Sequence, residues 1–311
     1  MNLEPKGGTE ILKKELGSRL KEKDLKGINL IKSVCHPQFL DKEKINIVWQ
    51  HLSYDQPNVQ LMKDRRFVDQ VDYFVYVSHW QFNKFREHFA IPEYKSFVIK
   101  NATPLPSPRI NIVGGRVQIM YSSTPWRGLS VLLLAIDILN KKRDDFTLNV
   151  YSSTEIYGKT FNDMESDKYK VLFERCKNTK NVKYHGFVEN DEILKQLTRT
   201  HIYAYPSIFE ETSCLSAIEA MIAGCKVVTT NYGALPETCG EFASMIEFEP
   251  NLAELAKRYA VILGQAIDNY KDGLYKKQLE NQVEYYKNHY SWDVRILEWR
   301  NFLNHVRKKN S

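Results

Sequence analysis

One stretch of the sequence, residues 205–237, limits the possible folds more than any other part of it. The β-rich run Ile202–Tyr205 leads into a polar turn, after which apolar residues recur at helical spacing along Leu215–Ile222. Gly224 is placed to end that helix, and residues 225–230 are again rich in β-forming residues. This order of strand, loop, helix and strand predicts a parallel α/β sheet, in which ligands bind at the carboxyl ends of the strands.

Two glutamates flank the loop that follows the first of these strands. Seven residues separate Glu211, in the loop, from Glu219, one turn into the helix. Backbone N–H groups at the start of a helix favour phosphate, and carboxylates accept hydrogen bonds from sugar hydroxyls, so we predict a nucleotide-sugar site here. The N–H groups would come from Thr212, Ser213, Cys214 and Leu215. The alternative is that Ser216 and Glu219 form a capping box and that Glu211 is a solvated loop acid.

The same stretch resembles the donor-site signature of glycosyltransferase family 4, whose members are retaining nucleotide-sugar enzymes with the GT-B fold. The matching residues are Pro206-Ser207, the Glu211 and Glu219 pair, Glu219-Ala220-Met221, Gly224, Val227-Val228 and residues 233–237. The resemblance implies an α/β fold of two Rossmann-like domains, with a C-terminal helix that crosses back to the first. The sequence departs from the family at Cys214, where family members commonly have glycine and its greater backbone freedom.

A histidine and an arginine elsewhere match the same family. His51 follows the second predicted strand, Ile45–Gln50, where family members often carry a histidine that contacts the donor sugar. Arg127 lies at a strand-to-helix turn, where a cation can neutralise a diphosphate. The family usually supplies two cations from this turn, and Ser123 stands near the place of the second. A structural histidine and a surface arginine are the alternatives.

Two glycine-containing segments extend the resemblance. Gly186 and Val188 belong to a segment similar to the one whose backbone reads the nucleobase, although a strand-to-turn passage has the same pattern. Gly7 and Gly8 match a pair that follows the family's first strand and faces the space between donor and acceptor. Only six residues precede this pair, and they lack the pattern of a buried strand, so we expect the first strand to be missing or the first domain to be divergent. A flexible terminus is the alternative.

The sequence divides at a stiff linker that holds three prolines within residues 103–108. We predict an acceptor-side Rossmann-like domain over residues 1–106 and a nucleotide-sugar-binding domain over residues 107–288. Residues 289–311, with Trp299 and Phe302, resemble the family's final helix, which packs back on the first domain.

The amino-acid composition limits which cellular compartment and which binding partners we expect for this chain. Five scattered cysteines without a CxxC pair favour a reducing, cytoplasmic environment over a zinc site or a disulfide framework, and no apolar run is long enough to predict a membrane span. The net charge of +6 is concentrated at residues 1–108, with 17 Lys and Arg against 13 Asp and Glu, and at residues 289–311, with 5 against 2. This bias predicts contact with an anionic membrane surface or an anionic acceptor, or else a solvated surface. Nucleic acid is not an expected partner, because no run interleaves basic residues with exposed aromatic ones.

We therefore predict a retaining glycosyltransferase that moves a sugar from a nucleotide-diphosphate sugar to a glycan, a lipid-linked glycan or a protein. Glu211 would hold the sugar hydroxyls, Glu219 the ribose, and His51 the sugar from the opposite domain. Arg127 and the helix N–H groups would stabilise the leaving diphosphate.

Neither a metal nor a cofactor is expected, since no Asp-x-Asp follows an apolar strand and no histidine–carboxylate cluster has metal-ligand spacing. A non-catalytic GT-B subunit that binds a glycan or a partner is the alternative function. A nucleotide-dependent oxidoreductase or epimerase would need a GxGxxG turn after an early strand, which the sequence lacks.

Overall fold

Two parallel β-sheets form the frame of the chain, which the computed structural model describes over residues 7–110, 115–155 and 158–310. Within these residues the first sheet has the strand order β1-β2-β3-β4 and the second the order β10-β9-β8-β5-β6-β7, with all neighbours parallel. The strands are β1 (Ile28–Lys32), β2 (Ile45–Gln50), β3 (Tyr73–Tyr76), β4 (Ser96–Val98), β5 (Val117–Ser122), β6 (Phe146–Tyr151), β7 (Val182–Tyr184), β8 (Ile202–Tyr205), β9 (Lys226–Thr230) and β10 (Ser244–Ile246).

Parallel neighbours need crossover connections, and most of these are helices. The helices are α1 (Gly8–Arg19), α2 (Glu22–Leu25), α3 (Arg65–Gln70), α4 (His79–Phe89), α5 (Leu129–Asn140), α6 (Lys159–Asn178), α7 (Asn190–Leu197), α8 (Leu215–Ile222), α9 (Leu235–Cys239), α10 (Leu252–Lys271), α11 (Lys276–Tyr290) and α12 (Trp292–Asn310). The helix predicted between β8 and β9 has the bounds that the apolar spacing indicated.

The first sheet separates two cores. Ile47 and Trp49 of β2 point into a core that α1 and α12 close, whereas Val48 points into a core formed with α3 and α4. Successive side chains of a strand point to opposite faces, so β2 is buried on both. Leu12 and Leu16 give α1 the apolar face that covers the first of these cores, and Leu20 continues it at the C-cap.

The second sheet places two functional loops side by side. Its central strands β8 and β9 are buried throughout, and α5, α8 and α10 pack against them. Since β5 and β8 are parallel neighbours, the loops that follow them emerge at the same edge of the sheet. These loops carry most of the predicted donor-site residues.

The final helix α12 leaves the second domain and packs on the first, as predicted. The crossing begins where Thr103 and Ser291 form an isolated parallel bridge. Trp299 of α12 is only 1% exposed, and its ring meets that of Trp49 edge-on with 5.1 Å between centroids. The C-terminal helix therefore completes the core of the first domain.

Two expectations concern the limits of the first domain. No strand precedes α1 in the part of the chain that the structure describes, and residues 1–6, which precede the Gly7-Gly8 pair, lie outside it. The first sheet ends at Val98 and the second begins at Val117, so the predicted limit at residue 106 falls in the connection between them. The exact domain limits stay predictions. None of the described helices combines the length and the apolar character needed to cross a membrane.

Candidate active site

The carboxyl ends of the two sheets meet at a cleft, where the loop after β8 touches the first domain. The hydroxyl of Thr212 in this loop donates to the carbonyl of His51, which follows β2, at 3.0 Å. The hydroxyl of Ser78, which follows β3, donates to the carbonyl of Thr212 at 2.7 Å. At the start of α1, Gly8 lies against Leu215, whose side chain would be 3.7 Å from an added Cβ. Gly8 and His51 therefore lie beside the predicted donor loop.

Glu211 is almost completely buried and is held by two neighbouring side chains. Its side chain is 4% exposed, and its Oε1 accepts hydrogen bonds from Arg127 Nη1 at 2.5 Å and from the hydroxyl of Tyr205. The Arg127 guanidinium also lies over the ring of Phe209, 4.2 Å from its centroid. The sequence assigned Glu211 to the sugar and Arg127 to the diphosphate, whereas the structure joins them in one ion pair.

Two glycines fix the backbone around this ion pair. Gly233 has a φ of +63°, and a Cβ added there would lie 2.5 Å from the backbone nitrogen of Glu211. The N–H of Ala234 donates to the carbonyl of Glu211 at 2.7 Å. On the other side, Gly128 has a φ of +115°, and its Cβ would lie 2.0 Å from the carbonyl oxygen of Pro206. Because only glycine permits these approaches, close backbone packing positions both halves of the pair.

Cys214 takes up a backbone conformation that usually belongs to glycine. Its φ of +63° and ψ of +78° lie in the left-handed region, and it is the N-cap residue of α8, where no side chain caps the helix. A non-glycine residue in this region costs about 1–3 kcal/mol. The cysteine at the family's glycine position is thus accommodated, and the first N–H groups of α8 have no acceptor within the helix.

Glu219 is buried beside the donor loop and does not form the capping box considered as the alternative. The helix begins after Cys214, so Ser216 is not its N-cap residue. Instead, Oε1 of Glu219 accepts a hydrogen bond from Asn190 Nδ2 at 3.2 Å. Burial raises the pKa of the Glu219 carboxyl to about 7, although the bond from Asn190 opposes the shift.

The ring of His51 packs on Trp49 beside the donor loop. Its ring meets that of Trp49 at a tilt of 60°, with 4.3 Å between centroids. Burial, helped by the charge of Lys32, lowers the pKa of His51 to about 3. Its Nε2 is buried and has no hydrogen-bond partner among residues 7–110, 115–155 and 158–310. A buried polar atom of this kind is costly unless a ligand or water satisfies it.

The other predicted residues lie at the same sheet edges. Ser123 is half-buried in the loop after β5, and Gly186 and Val188 are half-buried after β7. Gly7 is the N-cap residue of α1, and the carbonyl of Ser213 accepts a hydrogen bond from Thr238. Their functional roles remain predictions.

Glu237 makes an interdomain contact that its place in the sequence does not predict. Its carboxylate accepts hydrogen bonds from the N–H groups of His79 (3.1 Å) and Trp80 (3.0 Å) at the start of α4, and it lies 3.2 Å from Lys100 Nζ. Burial pushes the pKa of Glu237 upward, but the bonds from Trp80 and His79 outweigh it, so the pKa is lowered. An acid of the second domain thus caps a helix of the first.

Sequence reasoning also missed Tyr205, Phe209 and Asn190. Each makes its contact through the fold, and a single sequence offers no spacing rule for such contacts. Asn190 had one weak signal, because it opens a helix directly after the Gly186 segment. Among the described residues, no group of three or more His, Cys, Asp or Glu side chains is placed to hold a metal ion.

The second domain matches the model of a known protein family. Residues 116–265 match the model of the family described as "Glycosyl transferases group 1". A Klebsiella pneumoniae protein described as an "Uncharacterized 41.2 kDa protein in cps region" is 31% identical over 111 residues, which are 35% of this chain and 30% of that protein. The 2-deoxystreptamine glucosyltransferase of Streptomyces kanamyceticus is 37% identical over 79 residues, 25% of this chain and 20% of that one. The chain thus spans less than a third of the length of either relative in these matches.

Solved structures match nearly the whole chain. A glycosyltransferase from Rickettsia africae superposes with a TM-score of 0.72 at 18% identity, over 99% of this chain and 84% of that one. The pneumococcal O-GlcNAc transferase GtfA, solved with UDP and GlcNAc, gives a TM-score of 0.68 at 14% identity, over 94% of this chain and 59% of that one. At these identities the likeness shows the fold, and the expected GT-B architecture is confirmed.

Proposed function

Because residues 116–265 match the glycosyl transferases group 1 family and the whole chain has the GT-B fold, we propose that this protein transfers a sugar from a nucleotide-diphosphate sugar to an acceptor. The bond between the anomeric carbon and the diphosphate oxygen breaks, and the diphosphate leaves with the bonding electron pair. A bond from the same carbon to the acceptor hydroxyl oxygen forms with retention of configuration, and the hydroxyl proton is released. The acceptor is a glycan, a lipid-linked glycan or a protein.

The proposal rests on one observation. The buried acids Glu211 and Glu219 lie with the guanidinium of Arg127 and the uncapped start of α8 at the carboxyl end of β8. The diphosphate binds at the start of α8, where N–H groups and the helix dipole favour negative charge. When the donor binds, Arg127 leaves its ion pair with Glu211 and pairs with the diphosphate. It then stabilises the charge that develops on the diphosphate as the bond to the sugar breaks. Glu211 then accepts hydrogen bonds from the sugar, and Glu219 from the ribose.

His51 contributes from the first domain. Its low pKa keeps the imidazole neutral near pH 7, so it acts as a hydrogen-bonding group and not as a cation. The buried Nε2, which has no partner in the described part of the chain, is the atom we assign to a hydroxyl of the transferred sugar.

The donor is tested first by thermal denaturation with a panel of UDP-, GDP- and ADP-sugars. A donor present at a hundred times its Kd would stabilise the folded protein by about 2.7 kcal/mol, so the true donor raises the Tm and the others do not. A panel in which no nucleotide sugar raises the Tm contradicts the proposed donor site. The pneumococcal transferase was solved with UDP, so UDP-sugars are the first members of the panel to test.

Catalysis is tested with Glu211→Ala beside the wild type. We expect the variant to lose at least about a hundredfold in transfer or donor hydrolysis, because it removes both the sugar contact and the ion pair that positions Arg127. Glu241→Ala removes an exposed acid of the same domain and serves as the control. Equal rates in Glu211→Ala and wild type would instead favour the alternative, a non-catalytic subunit that binds a glycan or a partner.

Two further measurements address the chemistry. NMR of the product should show the anomeric configuration of the donor; inversion would exclude a retaining reaction. We also propose that turnover needs no metal, since Arg127 and the α8 N–H groups take the position that a cation would hold. Loss of activity in EDTA, restored by added magnesium, would contradict this part of the proposal.

A further inference from the structure

A cavity of about 270 Å³ lies where the first domain meets helices α11 and α12. His79 and Lys100 line it from the first domain, Tyr285 lines it from α11, and Arg295 and Glu298 line it from α12. None of the described residues assigned to the donor is part of this lining. A ligand in this cavity would therefore occupy a site of its own and would contact both domains.

Arg295 brings a buried donor without a partner to this cavity. The residue is only 4% exposed. Its Nη2 donates to the carbonyl of His289 at 2.6 Å, and its Nη1 donates to the carboxylate of Glu298. Its buried Nε has no hydrogen-bond partner in the described part of the chain. A buried donor without an acceptor is costly, and a ligand that supplies an acceptor would remove that cost.

The ionised groups around the cavity already balance one another. Arg295 pairs with Glu298. The carboxylate of Glu237 lies 3.2 Å from Lys100 Nζ and 3.0 Å from His79 Nδ1. An anionic ligand would meet the like charges of Glu298 and Glu237, and a cationic ligand would meet those of Arg295 and Lys100. The balance of charge therefore favours a neutral ligand.

The lining also calls for a ligand group that both accepts and donates hydrogen bonds. Arg295 can only donate and the ionised Glu298 can only accept, whereas a hydroxyl group does both. The side chain of Glu298 is 47% exposed, so its ion pair with Arg295 does not enclose it. Hydroxyl groups thus match the polar part of the cavity better than a carboxylate or a phosphate does.

An aromatic surface lines another part of the cavity. Tyr285 is 41% exposed, and its ring stacks on that of His289 with 4.1 Å between centroids and 19° between planes. Such a surface suits the apolar C–H groups of a ligand. Drug-sized ligands occupy sites of about 300–1,000 Å³, so a cavity of about 270 Å³ admits a single ring. A sugar ring combines C–H groups with hydroxyls at this size.

We propose that this cavity binds one neutral sugar ring, which is either a free monosaccharide or the end residue of a glycan. The ring packs on Tyr285, and its hydroxyls accept from Arg295 Nε and donate to Glu298. Because both domains line the cavity, the bound sugar stabilises the observed arrangement of the domains. The inference does not depend on the proposed transfer activity, since this site binds its sugar without a nucleotide.

The first experiment measures sugar binding without any nucleotide. Glucose, galactose, mannose and N-acetylglucosamine are titrated against the protein by calorimetry, and at least one of them should bind. We expect Tyr285→Ala and Glu298→Ala each to weaken its binding about tenfold. Arg295→Lys keeps the cation but removes the Nε donor, so it should weaken binding as well.

Two control variants match these changes. Glu284→Ala removes an exposed acid of α11, and Tyr94→Ala removes an exposed tyrosine of the first domain. Neither residue lines the cavity, so both variants should bind the sugar like the wild type. The proposal is overturned if none of the four sugars binds, or if Tyr285→Ala and Glu298→Ala bind as tightly as the controls. Binding of phosphate or citrate through Glu298 and Tyr285, without binding of any sugar, would also overturn it.

The second experiment separates the two sources of the sugar. The monosaccharide that binds is compared with a trisaccharide that ends in the same residue. Equal or tighter binding of the trisaccharide, with the same dependence on Tyr285 and Glu298, supports the end of a glycan. Binding of the monosaccharide alone supports a free sugar.

The third experiment tests the effect on the domains. Two ligands that favour one arrangement of the domains raise each other's affinity by the same factor, so a saturating monosaccharide should lower the Kd for the donor nucleotide at least about fivefold. An unchanged Kd contradicts the effect on the domain arrangement. If no nucleotide sugar binds while monosaccharide binding depends on Tyr285 and Glu298, the proposed transfer activity is wrong and the sugar site stands.

Discussion

Among single residues, Gly233 is the position where one added methyl group should change function most cleanly. Gly233→Ala places a carbon 2.5 Å from the Glu211 nitrogen, so the loop that carries Glu211 must move. A displacement of about 1 Å at a reacting group costs about a hundredfold in rate, and we expect that loss in kcat. Gly273→Ala is the control, because Gly273 also has positive φ (+73°) but no atom within 4 Å of its added Cβ. Equal losses in both variants would assign the effect to backbone strain alone.

Glu219 should make both stability and donor binding depend on pH, in opposite senses. Its pKa is raised from 4.5 to about 7 in the folded protein, so the folded state holds the proton more tightly than the unfolded state. The contribution of Glu219 to stability is therefore most favourable below pH 4.5 and falls as the pH rises to about 7, by on the order of 3 kcal/mol. Thermal denaturation of wild type and Glu219→Gln across this range should show a gap that widens with pH.

The affinity for the donor, to which Glu219 contributes, should increase as the pH rises over the same range. The reason is that the ionised carboxylate is the better acceptor for ribose hydroxyls. Calorimetric titration with the donor nucleotide should show affinity rising through about pH 7 in the wild type and staying flat in Glu219→Gln. If the donor affinities of wild type and Glu219→Gln change with pH in the same way, Glu219 does not contact the nucleotide.

At the scale of residues, the sequence singled out two acids as candidates but did not predict which side chains they contact. Glu211 and Glu219 were found because they lie eight positions apart in one loop and helix. The partners Arg127 and Asn190 lie 84 and 29 positions away from them, and only the pairing of strands brings them close. The sequence likewise showed that Cys214 stands where the family commonly has glycine. It did not show that Cys214 adopts the left-handed backbone conformation.

At the scale of elements, the contact of Glu237 with α4 should stabilise the observed arrangement of the domains. Glu237→Ala removes an acid cap worth about 1 kcal/mol and leaves Lys100 without its partner. We expect a larger radius of gyration by X-ray scattering and a higher KM for donor, while the fold of each domain is kept. Glu237→Gln, which retains one oxygen acceptor, should fall between alanine and wild type.

Glu93→Ala removes an exposed acid in the first domain and provides the control for this change. Identical scattering from Glu237→Ala and wild type would show that the α4 contact does not hold the domains together.

Most elements could be predicted because their apolar patterns are local. Strands β2 and β8 and helix α8 have the predicted bounds, since their residues are mostly buried and a turn signal follows each. The expectation of two Rossmann-like domains came from the family resemblance, and the order of the strands within each sheet was not predicted.

At the scale of the whole molecule, α12 should be essential to the stability of the first domain. Trp299 is buried against Trp49, and replacing a buried tryptophan by alanine typically costs about 3–5 kcal/mol. Denaturant unfolding of Trp299→Ala should show that loss, with the first domain unfolding before the second. Leu297→Ala changes an exposed residue of the same helix and should leave stability within about 0.5 kcal/mol of wild type. A similar loss in both variants would point to helix formation and not to the core contact.

The return of α12 also sets an order of events during synthesis. Residues from Leu12 to Trp49 leave the ribosome long before the segment around Trp299 and Phe302 that seals their core. The first domain must then remain with apolar surface uncovered until the segment around Trp299 has been made, whereas the six-stranded sheet can assemble meanwhile. Chaperones that shield nascent chains would therefore be needed more by the first domain than by the second.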